Sequence, residues 1–176
     1  ETLARFQGEA EDPETEEEPG KILHEMRFGA AARPSLSSGE VYYGSIDATP
    51  LFVMLLGELH RWRLADSTVD RLLPHADRAL AWIADYGDRD GDGYVEYARS
   101  TDRGLANQGW KDSWDGIRFA DGGFPAPPIA LCEVQGYVYA AYLARAHFAQ
   151  EAGDAATSAR YREKARTLRT RFNEDF

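Results

Sequence analysis

Two stretches of the sequence carry apolar residues at almost every position of a helix. The first is LFVMLLGELHRW, residues 51–62, and the second is IALCEVQGYVYAAYLARAHFA, residues 129–149. A surface helix shows apolar residues along one side only, whereas a helix that is apolar on all sides is covered by other parts of the protein. The pattern therefore predicts two helices that are buried on most sides.

Each of these stretches is followed by a segment whose apolar residues recur at helical intervals. The first stripe consists of Val69, Leu72, Leu73, Ala76, Leu80 and Ile83, and the second of Tyr161, Ala165, Leu168 and Phe172. Gly153 is expected to end the second apolar helix, and Asp154 to cap the helix that follows. A buried helix followed by an amphipathic one, repeated, is typical of helical hairpins with an inner and an outer member. The sequence therefore predicts an all-α fold of helical hairpins.

The segment between the two predicted hairpins, residues 87–128, has no clear helical or strand periodicity. It is far longer than the usual connection between helices. Long connections tend to carry binding and catalytic residues, because the rigid elements around them hold the loop in place. We therefore expect a long irregular insertion that contributes to a functional site.

The beginning of the chain is strongly acidic. The run EAEDPETEEEP, residues 9–19, is dominated by glutamate and contains no aromatic residue. Like charges repel, and the run has little apolar area to bury, so the sequence predicts an acidic flexible segment at residues 1–19. One folded domain is expected from residue 20 to residue 176.

Composition restricts the classes of partner. The chain has 43% hydrophobic and 12% aromatic residues, which is typical of a globular protein, and a formal net charge of -10 at pH 7. That charge repels phosphate backbones and anionic lipids, so neither nucleic acid nor a membrane is an expected partner. The single cysteine, Cys132, lies in an apolar run, which predicts a core position and a reducing, cytoplasmic compartment.

The segment DRDGDGYVEY, residues 88–97, begins like a calcium-binding EF-hand loop. Gly93 occupies the sixth position of that loop, but the twelfth position holds Arg99 instead of a bidentate glutamate. The sequence favours an aspartate–glycine turn that leads into a short strand. No metal and no cofactor is predicted. Calcium binding stays open for the four carboxylates of the segment, which belong to Asp88, Asp90, Asp92 and Glu96.

The segment NQGWKDSWDGI, residues 107–117, combines tryptophan with amide, amine and carboxyl groups. A sugar presents apolar C–H faces that stack on aromatic rings, and hydroxyl groups that need charged or amide hydrogen-bond partners. A carboxyl group beside tryptophan in a partly desolvated pocket can have a raised pKa, as a general acid at neutral pH requires. Trp110 and Trp114 can also be ordinary core residues. The mixture of side chains favours a carbohydrate site.

Polar residues also precede or open both predicted inner helices. Glu25, Arg27, Tyr43 and Asp47 precede the first, and Glu133 and Gln135 open the second. Helical positions two apart point about 200° apart, so Glu133 and Gln135 line one cleft only if the first turn is irregular. Asp47 is typical of a helix N-cap, and it can serve as a ligand instead or as well.

Five of these segments together resemble a known family. EEPGKILHEMRFG, YYGSIDATPLF, DGDGYVEY, NQGWKDSWDGI and PPIALCEVQGYVYAA occur in this order in amylo-α-1,6-glucosidase-type proteins, which are related to the glucosidase domain of glycogen debranching enzymes. The resemblance covers residues 17–176 and extends more distantly to glucoamylases and trehalases. It implies that the hairpins form part of an (α/α)6 barrel of the six-hairpin glycosidase type.

The resemblance also implies a glycoside hydrolase that cleaves α-glucosidic bonds with inversion, with α-1,6 branch linkages of glycogen or related α-glucans as the substrate. Asp112 in the Gly-Trp-x-Asp motif matches the general acid, and Asp115 is the fallback. Asp47 resembles a ligand of the terminal glucose. The other implied substrate-binding residues are Gln108, Trp110, Lys111, Tyr43, Glu25, Arg27, Glu133 and Gln135.

Two further expectations follow from the barrel. Six hairpins need about twelve helices, so a chain with four strong helix candidates is expected to be part of a catalytic domain and inactive alone. The general base of such barrels lies much closer to the C-terminus, so the remainder of the domain is an expected partner. The alternatives are a helical-repeat module that binds a protein without catalysis, and a barrel enzyme acting on trehalose or another small α-glucoside.

Overall fold

A computed structural model describes residues 1–28 and 41–176 of the chain. Gly29, the last residue of the first motif of the resemblance, lies outside the described residues. The elements in chain order are helix α1 (Thr2–Arg5), strands β1 (Glu25–Met26) and β2 (Val41–Tyr42), helices α2 (Ala48–Arg61) and α3 (Asp66–Trp82), a π-helical turn (Ile83–Gly87), strands β3 (Glu96–Tyr97) and β4 (Ile129–Ala130), and helices α4 (Cys132–Glu151) and α5 (Ala155–Asp175). The described part of the chain is mostly helical, which confirms the all-α class.

The four long helices form two hairpins. Helix α2 packs against α3, α4 packs against α5, and the hairpins meet through α2 and α4. The start of α2 is hydrogen-bonded to Gln108, whose neighbour Gly109 packs on the residue before α4, and the far ends of α2 and α4 meet at His60 and His147. The two inner helices therefore run parallel. No helix of the described residues is long and apolar enough to span a bilayer.

Helix α2 is buried on fewer sides than its sequence predicts. Its core face carries Phe52, Val53 and Leu56, while Leu51 and Leu55 are exposed. Exposed Leu143 lies on the neighbouring helix α4. The prediction of cover on most sides is wrong for α2 within the described residues, because α3 and α4 are the helices that pack on it and the third side stays open.

The acidic beginning of the chain packs against the domain instead of forming the predicted solvated segment. Glu16 is 2% exposed, and its carboxylate accepts hydrogen bonds from the backbone N–H and the hydroxyl of Ser100. Lys21 is also buried and donates to the Glu16 carbonyl at 3.0 Å. Burial lowers the pKa of Lys21, and the nearby Glu18 carboxylate opposes that shift. Buried charges need such partners, and the partner of the Glu16 carboxylate lies far away in the sequence.

The turn between α4 and α5 forms as the sequence predicts. Gly153 adopts a positive φ of 75°, and the Asp154 carboxylate accepts a hydrogen bond from the Thr157 backbone at 3.0 Å, which caps α5. The expected core position of Cys132 is wrong, since Cys132 is the first residue of α4 and is exposed. The apolar run around it predicted a buried thiol, but the first turn of the helix leaves the side chain uncovered.

The strands are short and form two antiparallel pairs. Strand β1 pairs with β2, so that Glu25 faces Tyr42, and β3 pairs with β4, so that Glu96 faces Ala130. The first pair brings the polar segment around residue 25 to the start of α2. The second pair closes the long connection at its base beside α4, and the rest of the connection consists of turns and bends.

Candidate active site

The segments that the sequence marks as functional meet at the N-terminal ends of α2 and α4. The backbone N–H of Ile46 donates to the Gln108 carbonyl at 2.6 Å, which joins the start of α2 to the NQGWKDSWDGI segment. The backbone N–H of Leu105, two residues before that segment, donates to the Tyr42 hydroxyl at 2.8 Å, which ties this part of the connection to β2. Residues 20–28, 42–47 and 105–112 therefore form one surface.

Two residues hold the loop in its irregular path. The Tyr97 hydroxyl donates to Asn107 Oδ1 at 2.8 Å, and Asn107 Nδ2 donates to the Ser113 carbonyl at 2.6 Å. A Cβ on Gly109 would lie 2.4 Å from Leu131 Cδ1, so any larger residue here would force the Leu131 side chain to move away from the loop. The loop is thus fixed at its first residues, and residues 110–115 project outward from there.

The projecting residues present aromatic faces to solvent. Trp110 is 67% exposed, with the Lys111 ammonium 5.1 Å from the ring centroid. Trp114 is equally exposed, and Arg118 lies against its ring. Single exposed apolar side chains are common on protein surfaces, so exposure alone assigns no role to these rings. These rings are available for stacking on a sugar, and neither serves as core filling.

Asp112 lies at the centre of this surface. Its side chain is 52% exposed, and its Oδ2 lies 4.0 Å from Nε2 of His24. The sequence predicted a carboxyl group desolvated against tryptophan; the structure instead leaves Asp112 in water, because Trp110 itself projects outward. His24 was not selected from the sequence, and only the folded arrangement brings it to Asp112. Asp115, the fallback acid, forms an ion pair with Arg118 at 3.5 Å.

Asp47 is the N-cap residue of α2, but its side chain does not cap the helix. Its side chain makes no hydrogen bond to the first turn, and it accepts a hydrogen bond from the Ser45 hydroxyl instead. The Ser45 oxygen in turn accepts from the backbone N–H of Ala48 at 3.3 Å. Asp47 thus occupies the N-cap position as expected but makes no side-chain capping bond, and its half-buried carboxylate keeps acceptor capacity for a ligand at the helix N-terminus.

Gln108 is buried beside Asp47 with an unused polar atom. The side chain is 2% exposed, and its Nε2 has no hydrogen-bond partner. A buried amide without a partner costs free energy, so such groups call for an explanation. The carbonyl of Gln108 is already used by Ile46, which fixes the backbone while leaving the side-chain amide unpaired.

The structure removes two of the predicted substrate-binding residues from the surface. Tyr43 is buried, and its hydroxyl donates to the Phe6 carbonyl at 2.9 Å; burial raises the pKa of Tyr43 to about 12. Gln135 is buried in α4, where it accepts from the Val95 N–H and donates to the carbonyls of Val95 and Leu131. Both side chains stabilise the fold, and their polar groups already have hydrogen-bond partners within the protein.

Three further predicted residues lie at the edge of the surface. Glu25 and Arg27 form an ion pair with each other beside β1. Glu133 lies in the first turn of α4, half-buried, and accepts a weak hydrogen bond from Cys132 Sγ at 3.4 Å. Its charge raises the pKa of Tyr97, although burial raises that pKa more.

The aspartate–glycine segment forms the predicted turn. Asp88 accepts hydrogen bonds from the backbone N–H groups of Gly91 and Gly93, both of which have positive φ. Burial raises the pKa of Glu96, and the neighbouring aspartates add to that shift. The carboxylates of Asp88, Asp90, Asp92 and Glu96 lie within 4.8 Å of one another and could hold a cation.

We expect replacement of Gln135 with leucine to destabilise the protein. The shape is conserved, but the N–H and the carbonyl of Val95 lose their buried partner, at a cost of about 1–3 kcal/mol for each unpaired group. Urea unfolding followed by circular dichroism measures the change. Gln150→Leu, on the exposed side of the same helix, is the control and should stay within about 0.5 kcal/mol of the parent. Equal stabilities of the two variants would contradict this role of Gln135.

Neither a scan against protein-family models nor a search of curated proteins found a match to this chain.

Proposed function

We propose that this chain forms part of an (α/α)6-barrel glycoside hydrolase and carries the acid side of an active site that cleaves α-glucosidic bonds with inversion. One observation carries the proposal. The start of α2, which carries Asp47, the start of α4 and the residue 107–115 loop converge, and the loop carries exposed tryptophan rings and Asp112. Aromatic faces beside carboxylates are the two kinds of group that sugar binding needs.

The helix arrangement supports the barrel. In an (α/α)6 barrel the inner helices run parallel and each is paired with an outer helix, and α2 and α4 have this relation to each other and to α3 and α5. The exposed leucines of α2 and α4, Leu51, Leu55 and Leu143, lie on the inner pair. Further hairpins of the catalytic domain would cover this side.

The chemistry assigned to the residues follows from their positions. Trp110 stacks on the apolar face of the terminal glucose, while Asp47 and the unpaired Gln108 amide bind its hydroxyl groups. Asp112 in its protonated form donates its proton to the glycosidic oxygen as the bond to the anomeric carbon breaks. A water molecule attacks from the opposite face and gives its proton to a second carboxylate, which lies roughly 6.5–9.5 Å from the acid in inverting enzymes.

The second carboxylate is assigned to the remainder of the catalytic domain. The preferred substrate is an α-1,6-linked branch of glycogen or a related α-glucan, which places the protein in cytoplasmic carbohydrate metabolism. Trehalose and other small α-glucosides share the same terminal glucose and are the alternative substrates.

Binding of an α-glucan to the isolated chain tests this proposal. We expect isothermal titration with panose, which contains an α-1,6 bond, to show binding that Trp110→Ala weakens about tenfold or more, because the ring supplies the stacking area. Trp62→Ala is the matched control, since Trp62 is 69% exposed at the end of α2, away from the site. Affinity unchanged in Trp110→Ala, or lost equally in both variants, would refute the site.

A chain that binds no glycan under any condition would support the helical-repeat module instead. In that case the exposed leucines of α2 and α4 would serve a protein partner, and the tryptophans of the loop would be part of the same interface.

A further inference from the structure

A second cluster of polar side chains lies at the opposite end of the inner helices. It joins His60 in the last turn of α2 to His147 and Glu151 in the last turns of α4. At 1.5 Å per residue, the fifteen or so residues from the start of α4 to His147 place this cluster roughly 20 Å from the residue 107–112 loop. The candidate active site makes no use of these three residues.

The three side chains converge on one point. Glu151 Oε2 lies 2.5 Å from Nε2 of His60, and Glu151 Oε1 lies 3.4 Å from Nε2 of His147. The ligand atoms of all three residues lie within 4.8 Å of one another. His147 and Glu151 are four positions apart on α4 and therefore share one face, which is the spacing that lets two helical side chains bind the same ion.

The distances fit a tetrahedral metal ion. With metal–ligand bonds of 2.0–2.2 Å, neighbouring ligand atoms in such a site lie roughly 3.3–3.5 Å apart. The contact between His147 and Glu151 already has this length. The contact between His60 and Glu151 opens by about 1 Å when the half-exposed Glu151 carboxylate rotates, a movement that solvent allows.

A further carboxylate lies near the outer nitrogen of His60, beyond direct hydrogen-bond distance. Asp66 Oδ1 lies 3.7 Å from Nδ1 of His60, on the ring edge opposite Glu151. Histidines that bind metals usually donate their other ring N–H to a carboxylate, which orients the ring. The ring of His60 also packs edge-on against Phe148, with centroids 5.3 Å apart, so its position is fixed before any ion arrives.

The charges around the cluster suit a divalent cation. Asp66 and Glu151 supply two negative charges, while Arg61 and Arg63 border the same pocket. The Arg61 guanidinium is paired with Glu58 at 2.7 Å, which reduces its repulsion of a cation. Two imidazoles and one carboxylate form a ligand set that zinc binds well, with water in the fourth position.

We propose that His60, His147 and Glu151 bind one zinc ion that joins the C-terminal ends of α2 and α4. The ion would be a structural clamp between the two hairpins, independent of glycoside hydrolysis. Binding to the folded state alone raises stability, so zinc at about 100 times its dissociation constant should raise Tm by roughly 5–10 °C.

Titration of the metal-free chain with zinc chloride tests this proposal. We expect one zinc ion per chain by isothermal titration, no comparable binding of magnesium, and a rise in Tm with zinc. His147→Ala and Glu151→Gln should each remove the binding; both residues are half-exposed, so the metal-free Tm should stay near that of the parent. Asp66→Asn should weaken zinc binding roughly 10–100-fold through the orientation of His60.

His75→Gln is the control for non-specific binding by histidine. His75 lies on α3 and contacts Gln7 and Arg78, away from the cluster, so this variant should bind zinc like the parent. No zinc binding by the parent would overturn the proposal. Zinc binding that persists unchanged in His147→Ala and Glu151→Gln would overturn it as well, since the ion would then lie elsewhere.

Discussion

Replacing Asp112 with asparagine is expected to lower kcat for hydrolysis of an α-1,6-glucoside by roughly 10²–10⁴-fold in the catalytic domain that we propose. Asparagine has the same shape but has no proton to give to the glycosidic oxygen. Asp112 is half-exposed and pairs only at long range with His24, so the change leaves the fold intact. Initial rates of glucose release from isomaltose or panose, with circular dichroism to monitor folding, measure the effect.

Asp115→Asn is the matched control for that variant. Asp115 is on the same loop and has nearly the same exposure, but its carboxylate is paired with Arg118. We expect its kcat to stay within about twofold of the parent, because a neutral side chain there removes only a surface ion pair. A large loss in Asp115→Asn with normal activity in Asp112→Asn would transfer the acid role to Asp115.

Replacing Trp82 with alanine is expected to destabilise the protein by about 3–5 kcal/mol. Trp82 is 1% exposed at the end of α3, and its indole N–H donates to Glu18 at 2.7 Å. Its ring also lies 5.6 Å from the Lys21 ammonium, so it is one of the points at which the acidic beginning of the chain is attached to the helices. Urea unfolding followed by circular dichroism measures the loss.

Trp62→Ala and Trp82→Phe separate the causes of that loss. Trp62 is exposed, so its removal should change the free energy of unfolding by less than about 0.5 kcal/mol. Trp82→Phe keeps most of the apolar volume and removes the hydrogen bond to Glu18, which should cost about 1.5–3 kcal/mol. A Trp82→Ala variant as stable as the parent would show that the acidic segment does not pack as described.

The helices could be predicted because their signals are local. Apolar residues three and four positions apart define α3 and α5 within a single turn or two, and Gly153 and Asp154 mark a boundary through their own backbone preferences. The parallel pairing of α2 and α4 could not be predicted from the sequence of either helix. It depends on Ile46, Gln108 and Leu131, which are far apart in the sequence.

Burial of polar residues could not be predicted for the same reason. The glutamates of residues 9–19 read as a solvated run because their partners, Ser100 and Trp82, lie more than sixty positions away. The sequence suggested Gln135 as a substrate-binding residue because its amide is polar. In the fold, that amide is hydrogen-bonded to the backbone of Val95. Charge and polarity alone do not distinguish a residue that binds a substrate from one that satisfies a buried backbone.

The candidate site was partly predictable from residue chemistry. Trp110, Trp114, Lys111 and Asp112 occur within one short segment. The sequence alone therefore showed that they lie close together. The approach of His24 to Asp112 and the unpaired amide of Gln108 required the fold, since β1 and β2 and the start of α2 bring these residues to the loop.

The indole N–H resonances of the four tryptophans give the most direct test of a sugar site on this loop. Titration of the ¹⁵N-labelled chain with panose should shift the Trp110 resonance, and that of Trp114 to a smaller degree, because both rings are exposed on the same loop as Asp112. Trp62 and the buried Trp82 serve as internal controls and should not move. Saturable shifts confined to Trp110 and Trp114 are the predicted result, whereas an unmoved Trp110 resonance would contradict a carbohydrate site at residues 107–115.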